Sequence, residues 1–404
     1  MRKLSAIVFS AALLLIGSAQ LTWAQQPNVY ELGTYPGGTW LAAEGINDLG
    51  VVVGRGDVPP IDPDTGVGYT HSLAVPLFGP NAGQWIDLGT LGGEQPRGWE
   101  EPVIQVSNTG LVVSHSTARD GYAHAVAWTK GSGLVDLGTL ADTGDRAYAD
   151  YKSSYAYGTN KLGTLIVGGS APYGDINVGF LAPVVWTPSN VWMNGKYVTK
   201  WRIHTLDTAD FPDFGWDIWG VNDYGQIVGV GGNGYPATIV TGALWNPRAD
   251  GKGWEKLMSL PAPQAYPFAD PYSINDMGEI VGIVASADLS TELPALWKPL
   301  NKTRTTYSQP IELALPAGFT SCEGVGINDL GDIVGDCWNK DGSVDLPTRW
   351  TTENPTFSEI IKFPDSWGFS WGVNNSRIAS VTYGGSKKCP ADTYGSCGGA
   401  AQLH

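Results

Sequence analysis

The sequence predicts an all-β chain folded as a seven-bladed β-propeller of four-stranded blades, closed by its N-terminal strand. Three observations carry that expectation. A ten-residue turn motif returns seven times, two further strand patterns follow each turn at regular places, and one spare copy of the last pattern precedes the first turn. A chain of 404 residues could hold several domains by length alone, but a repeat of this period makes one closed array of residues 25–404.

The turn motif reads GINDLGVVVG at 45–54, QVSNTGLVVS at 105–114, GTNKLGTLIVG at 158–168 and GVNDYGQIVG at 220–229. It continues as SINDMGEIVG at 273–282, GINDLGDIVG at 326–335 and a weaker GVNNSRIAS at 372–380. Each copy is a hairpin. The Asn or Asp side chain accepts from backbone it has just turned, and the glycine takes the positive φ that ends the turn. Short Ile-Val segments on either side are β-branched, as strands prefer.

A third strand follows each hairpin, usually closing on tryptophan: HAVAW (124–128), APVVW (182–186), GALW (242–245), PALW (294–297) and PTRW (347–350). Those tryptophans are expected between blades. A fourth strand follows in WIDLGTL (85–91), LVDLGTL (134–140), WRIHTL (201–206), WEKLMSL (254–260), PIELAL (310–315) and FSEIIKF (357–363). Only six such segments come after the first hairpin. The seventh is YELGTY at 30–35, so the N-terminal segment is expected to complete the last blade beside GAAQLH at 399–404. Closure of that kind leaves no sheet edge open.

The remaining features bound the setting. Arg2 and Lys3 precede an apolar run to Ile16, and Thr22-Trp23-Ala24 offers a cleavage site, so residues 1–24 are read as a secretory signal peptide. The expected location is extracellular or periplasmic, with no membrane insertion. The formal charge is −15, and loss of Arg2 and Lys3 makes it −17. An acidic surface repels phosphate backbones, which argues against a nucleic-acid partner. Four cysteines in an exported chain favour two disulfides, with the local pairing Cys322–Cys337 and Cys389–Cys397 expected.

The chain resembles the HAF-repeat family of exported bacterial proteins on these motifs. His71-Ser72-Leu73 and His124-Ala125-Val126 match the family's His-Ala-Phe segment in part, while the IND-x-G-x-IVG turns and DLGTLGG at 87–93 carry the likeness more firmly. The resemblance implies secretion and a repeat fold, and brings no reaction with it.

Candidate site residues come from counting back along the innermost strand from the turn Asn. Two residues before it the position is small in most copies, which lets neighbouring sheets approach. Three before lie Glu44, Tyr157, Trp219, Tyr272 and Trp371 among others, and five before lie Tyr155, Asp217, Asp270 and Glu323. Asp217, Asp270 and Glu323 therefore hold one equivalent position in three consecutive blades. Near the axis such carboxylates repel unless they bind a cation, hold a proton or meet a cationic ligand. With Trp216, Trp219, Tyr272, Trp371, Glu44 and Tyr155 they are expected to form an acidic, aromatic-rimmed mouth suited to a sugar or a cationic group.

The sequence thus points to a binding module that recognises a glycan or extracellular polymer through its loop-rich face, as a monomer. A hydrolase or lyase using the same carboxylates is the alternative, and a structural or adhesive exoprotein is the third reading. No catalytic residue, metal or cofactor is assigned. Calcium is left open at DPDTG (62–66) and NKDGSVD (339–345), whose alternating oxygen side chains fall short of the twelve-residue calcium loop. GFSWG (368–372) matches G-x-S-x-G, but a strand and hairpin follow it where a nucleophile elbow needs a helix.

Overall fold

The computed structural model describes residues 29–403, apart from 64–65, 67, 96–103, 173–180, 194–195, 212–213, 234–239, 364–366 and 385–395. The expected signal segment and Cys389 lie outside the described residues. The fold is the predicted one: seven four-stranded antiparallel sheets in a ring. In chain order the blades I to VII begin at Leu41, Gln105, Ser153, Gly215, Phe268, Ser321 and Trp367. The first described strand, Val29–Gly33, pairs with Ser396–Gln402 as the outermost strand of blade VII, so the ring is closed as expected.

The repeated Asn-Asp of the turns turns out to be a clasp between blades. Asn222 shows the mechanism. Its Oδ1 accepts from the Tyr224 and Gln226 amides of its own turn, while its Nδ2 donates to the Asn275 carbonyl of the next blade at 3.0 Å. Asn275, Asn328 and Asn374 repeat that reach, and Asn374 closes it on the Asn47 carbonyl at 2.8 Å. The following residue adds a second link. The amides of Asp223, Asp276, Asp329 and Asn375 each donate to the side chain of the next blade's equivalent, ending on Asp48. The turn end of the ring is therefore sewn all the way round by polar bonds.

Tryptophan holds the outer part. Trp186, Trp245, Trp297 and Trp350 are fully buried, and each indole N–H donates to a carbonyl of the link arriving from the preceding blade. They are interblade core, as the sequence indicates. The third and fourth strands are pinned in blades I and II by His71 Nδ1 with Asp87 and His124 Nδ1 with Asp136, both at 2.9 Å. Those carboxylates also accept from Gly89 and Gly138, which accounts for the His-Ala and DLG segments together as structural. Cys322 and Cys337 face each other across the first two strands of blade VI and are disulfide-bonded. Cys397 is disulfide-bonded as well. No helix among the described residues is long and apolar enough to cross a membrane.

Candidate functional site

The innermost strands carry a feature that simple alternation does not anticipate. In blades I, III, IV, V and VI the pairing register shifts at Glu44, Tyr157, Trp219, Tyr272 and Val325. Each is the extra residue of a β-bulge, three before the turn Asn. A bulge re-aims a side chain. Here it turns Trp219, Tyr272 and Val325 toward the axial cavity and brings the next residue against the neighbouring blade. That next residue is glycine in blades I, III, IV, VI and VII. A Cβ at Gly326 would lie 2.6 Å from the Trp371 carbonyl oxygen, and one at Gly158 2.6 Å from that of Trp219.

The result is an axial cavity of about 360 Å³. Its wall carries the residue before each turn Asn in all seven blades, a collar that is aliphatic except at Thr159. Above the collar stand Trp219, Tyr272 and Trp371 with Asp270 and Glu323. Lys161 and Asp276 line the cavity at the turn end. Lys161, in the place of the repeat's aspartate, crosses from blade III to pair with Asp329 of blade VI, and Asp276 lies 4.0 Å from its Nζ. The cavity is thus floored by an ion pair on the turn side.

Asp270 and Glu323 are set in contrasting surroundings. The Trp219 indole N–H donates to Asp270 Oδ1 at 3.2 Å. Burial, and then the charge of Asp217, hold the Asp270 carboxyl well above the usual carboxylate range. Burial pushes Asp217 up to about 6. Glu323 is pushed up to about 7 by burial and by the charge of Glu292, while hydrogen bonds from Asp336 and the Tyr272 hydroxyl pull the other way. Behind Glu323, Asp336 is its cross-strand partner and is raised by burial and by the charges of Glu323 and Asp345. Asp345 is itself pushed up to about 6 by burial. Carboxyl groups within hydrogen-bond reach of one another share protons, so the protonated form is favoured along this wall, most strongly at Asp270 and Asp336.

Of the sequence-predicted residues, the structure brings Asp270, Glu323, Trp219, Tyr272 and Trp371 into one cavity. Asp217 is close enough for its charge to act on Asp270 but is not among the cavity-lining residues. Three others stand elsewhere. Trp216 is 2% exposed and packs edge-on against Trp245 in the core of blade IV, because it lies on the opposite strand face from Asp217. Glu44 is fully buried; its Oε1 lies 2.7 Å from Arg55 Nε and its Oε2 accepts from the Ile104 amide. Tyr155 is buried between His115 and Tyr157, with ring centroids at 4.8 and 6.2 Å. These three are structural contacts, so the mouth is narrower than the sequence reading drew it.

Of the other candidate motifs, DPDTG lies partly outside the described residues, at 64–65, and two more are accounted for structurally. Ser370 is buried and donates to the Ser380 carbonyl at 2.7 Å. In NKDGSVD, Asn339 and Asp341 accept from the amides of their own loop. Among the described residues no group of three or more His, Cys, Asp or Glu is arranged to hold a metal ion. Lys161 and Arg55 were missed by sequence reasoning. Lys161 does carry a signal, since it is the one cation among seven equivalent turn positions.

Ring, axial cavity and clasped turns together define a β-propeller protein. In fold it is similar to the β-propeller domain of the trilobed protease from Pyrococcus furiosus, at 8% identity over 85% of this chain and 88% of that one, TM-score 0.48. It is also similar to the polysaccharide lyase PL25 ulvan lyase, at 11% identity over 93% and 95%, TM-score 0.47. A third likeness is to Trypanosoma rangeli sialidase, at 12% identity over 80% of this chain and 56% of that one, TM-score 0.42. No protein-family model and no curated protein matches the chain.

Proposed function

We propose that the protein is an exported binding module that takes a saccharide unit of a glycan or extracellular polymer into the axial cavity from the loop-rich face. The observation that carries this reading is the pairing, in one cavity, of the flat rings of Trp219, Tyr272 and Trp371 with the carboxyls of Asp270 and Glu323. Sugar rings offer C–H faces to aromatics and hydroxyls to groups that both donate and accept. A neutral carboxyl does both, whereas a carboxylate only accepts. The cavity size admits one or two sugar rings, within the usual range for small-ligand sites. Kinship with the HAF-repeat proteins and residence in an oxidising compartment belong to the same proposal, supported by the turn motifs and by the Cys322–Cys337 disulfide.

A second reading has one observation in its favour. A glutamic acid pushed up to about 7 beside a tyrosine hydroxyl is matched to proton transfer near neutral pH. Glu323 would then serve as general acid or base in a hydrolase or lyase.

Screening the protein on an array of neutral and acidic glycans tests the first reading. At least one glycan is expected to be retained, with Trp219→Ala and Trp371→Ala each weakening it by about tenfold or more. Retention unaffected by both variants, or no retained glycan, contradicts the proposal. Cleavage of a retained polymer by the wild type, lost in Glu323→Gln, moves the assignment to the second reading.

A further inference from the structure

The buried carboxyls of this protein are treated in two ways. Glu44 and Asp332 are each met by a guanidinium, Arg55 at 2.7 Å and Arg349 at 2.6 Å. In blades IV to VI, beside the axial cavity, no such cation is supplied. Asp217, Asp270, Glu292, Glu323, Asp336 and Asp345 stand there close enough for their charges to act on one another. Among the described residues none of the six is in an ion pair with Lys, Arg or His. Lys161 is the one cation among the lining residues, and it is committed to Asp329 at the turn end. Asp336 adds a separate sign. It is 5% exposed and stands directly across the strand pair from Glu323, which lines the cavity. The two carboxyls meet, yet Asp336 Oδ1 is buried without a hydrogen-bond partner. Buried acids left in this state cost stability unless a ligand completes them.

Resting on the saccharide reading of the cavity, we propose that its sugar is an unacetylated amino sugar, held by its ammonium group at Asp270 and Glu323. A polymer of glucosamine is the simplest ligand of this class. Its ammonium supplies the counter-charge that the chain withholds from these acids, through charge-assisted hydrogen bonds. The aromatic walls fit the same ligand. Trp219 and Tyr272 stand edge to face with ring centroids 6.1 Å apart, and aromatic faces attract cations as well as sugar rings. Charge also excludes the alternatives. A uronate or sulfated sugar would bring a further anion to a wall of six acids, and an N-acetylated sugar brings no charge at all. The formal charge of −15 favours the approach of a polycation over distance. Glu323, pushed up to about 7, is close to half ionised at neutral pH. An arriving ammonium therefore displaces its proton to solvent at little cost.

Calorimetric titration at neutral pH with length-matched oligomers of glucosamine and N-acetylglucosamine tests this. The wild type is expected to bind the glucosamine oligomer about a hundredfold more tightly, as two charge-assisted hydrogen bonds allow. Asp270→Asn and Glu323→Gln keep the shape of the wall and remove its charge. Each should cut that preference to about tenfold or less, with circular dichroism unchanged. Should one of them misfold, the other carries the test. Equal affinity for the two oligomers, tighter binding of the acetylated one, or binding of neither overturns the inference. The saccharide reading still stands in those cases if the array retains another glycan through Trp219 and Trp371. A preference that persists in both folded variants also overturns it, by placing the ammonium elsewhere. Spermidine bound as tightly as the glucosamine oligomer overturns both readings, by making the cavity a site for amines without a sugar.

Discussion

Gly326→Val is expected to destabilise the protein by about 3–5 kcal/mol, a large share of the stability of a typical folded domain. The cause is local and rigid. The new Cβ would sit 2.6 Å from the Trp371 carbonyl oxygen and 3.3 Å from the Gly372 Cα, both backbone atoms of the next blade. Neither can rotate away, so blades VI and VII must separate. That separation would loosen the Asn328-to-Asn374 clasp and the cavity wall together. Gly110→Ala is the comparison. Gly110 has φ of 80°, with nothing within 4 Å of an added Cβ. Its cost is the left-handed backbone alone, about 1 kcal/mol. Urea unfolding of the two variants checks the ranking, and equal midpoints would refute the close-approach explanation.

Acidification is expected to stabilise the protein between about pH 7 and pH 4, the reverse of ordinary acid sensitivity. Asp217, Asp270, Glu323, Asp336 and Asp345 all have carboxyl pKa values raised in the folded state, chiefly by burial. A group raised in this way binds a proton in the folded chain that the unfolded chain has already released. Its contribution is complete below the unfolded value near 4 and is lost as pH rises through the folded value. For each such group stability falls as pH rises across that window, and Glu323, Asp336 and Asp345 titrate together rather than independently. His115 opposes the trend, because burial lowers it to about 3 and the unfolded chain gains its proton first. One such histidine, with the milder His204, does not outweigh five carboxyls. Below about pH 4 the sign reverses, since Asp87, Asp136 and Asp329 have lowered values set by His71, His124 and Lys161. The melting temperature should therefore peak near pH 4. Asp270→Asn with Glu323→Gln should raise it at pH 8 and flatten its slope above pH 5. A melting temperature that climbs steadily from pH 5 to pH 8 contradicts the neutral-acid wall.

Much of the architecture was legible because a propeller writes its period into the chain. The IND-x-G turns located the blades, and the spare YELGTY segment located the closure, since a hairpin needs only local residues to declare itself. The tryptophans at the ends of third strands were legible for the same reason. What escaped is what depends on a neighbour in space. Asn222 is readable as a turn former, but not as a donor to a carbonyl 53 residues away. Trp216 and Asp217 adjoin in sequence, and alternation alone sends them to opposite faces, so grouping them at one mouth was an error of register. The bulges at Trp219 and Tyr272 shift that register by one without a distinctive residue to mark them. Glu44 matched the acidic rim by position and lost it to Arg55, which stands on the next strand. The carboxyl wall itself was half legible. The repeat aligned Asp217, Asp270 and Glu323, while Asp336 and Asp345 joined through cross-strand packing that no spacing rule encodes.

The measurement that bears most directly on the cavity is a carboxyl ¹³C NMR titration of protein labelled at Asp and Glu side chains. One glutamate should titrate near pH 7 and vanish from the spectrum in Glu323→Gln, with further aspartates titrating above pH 5. If every carboxyl titrates below pH 5, the axial wall is an ordinary solvated acidic surface, and the proposed binding site loses its chemical basis.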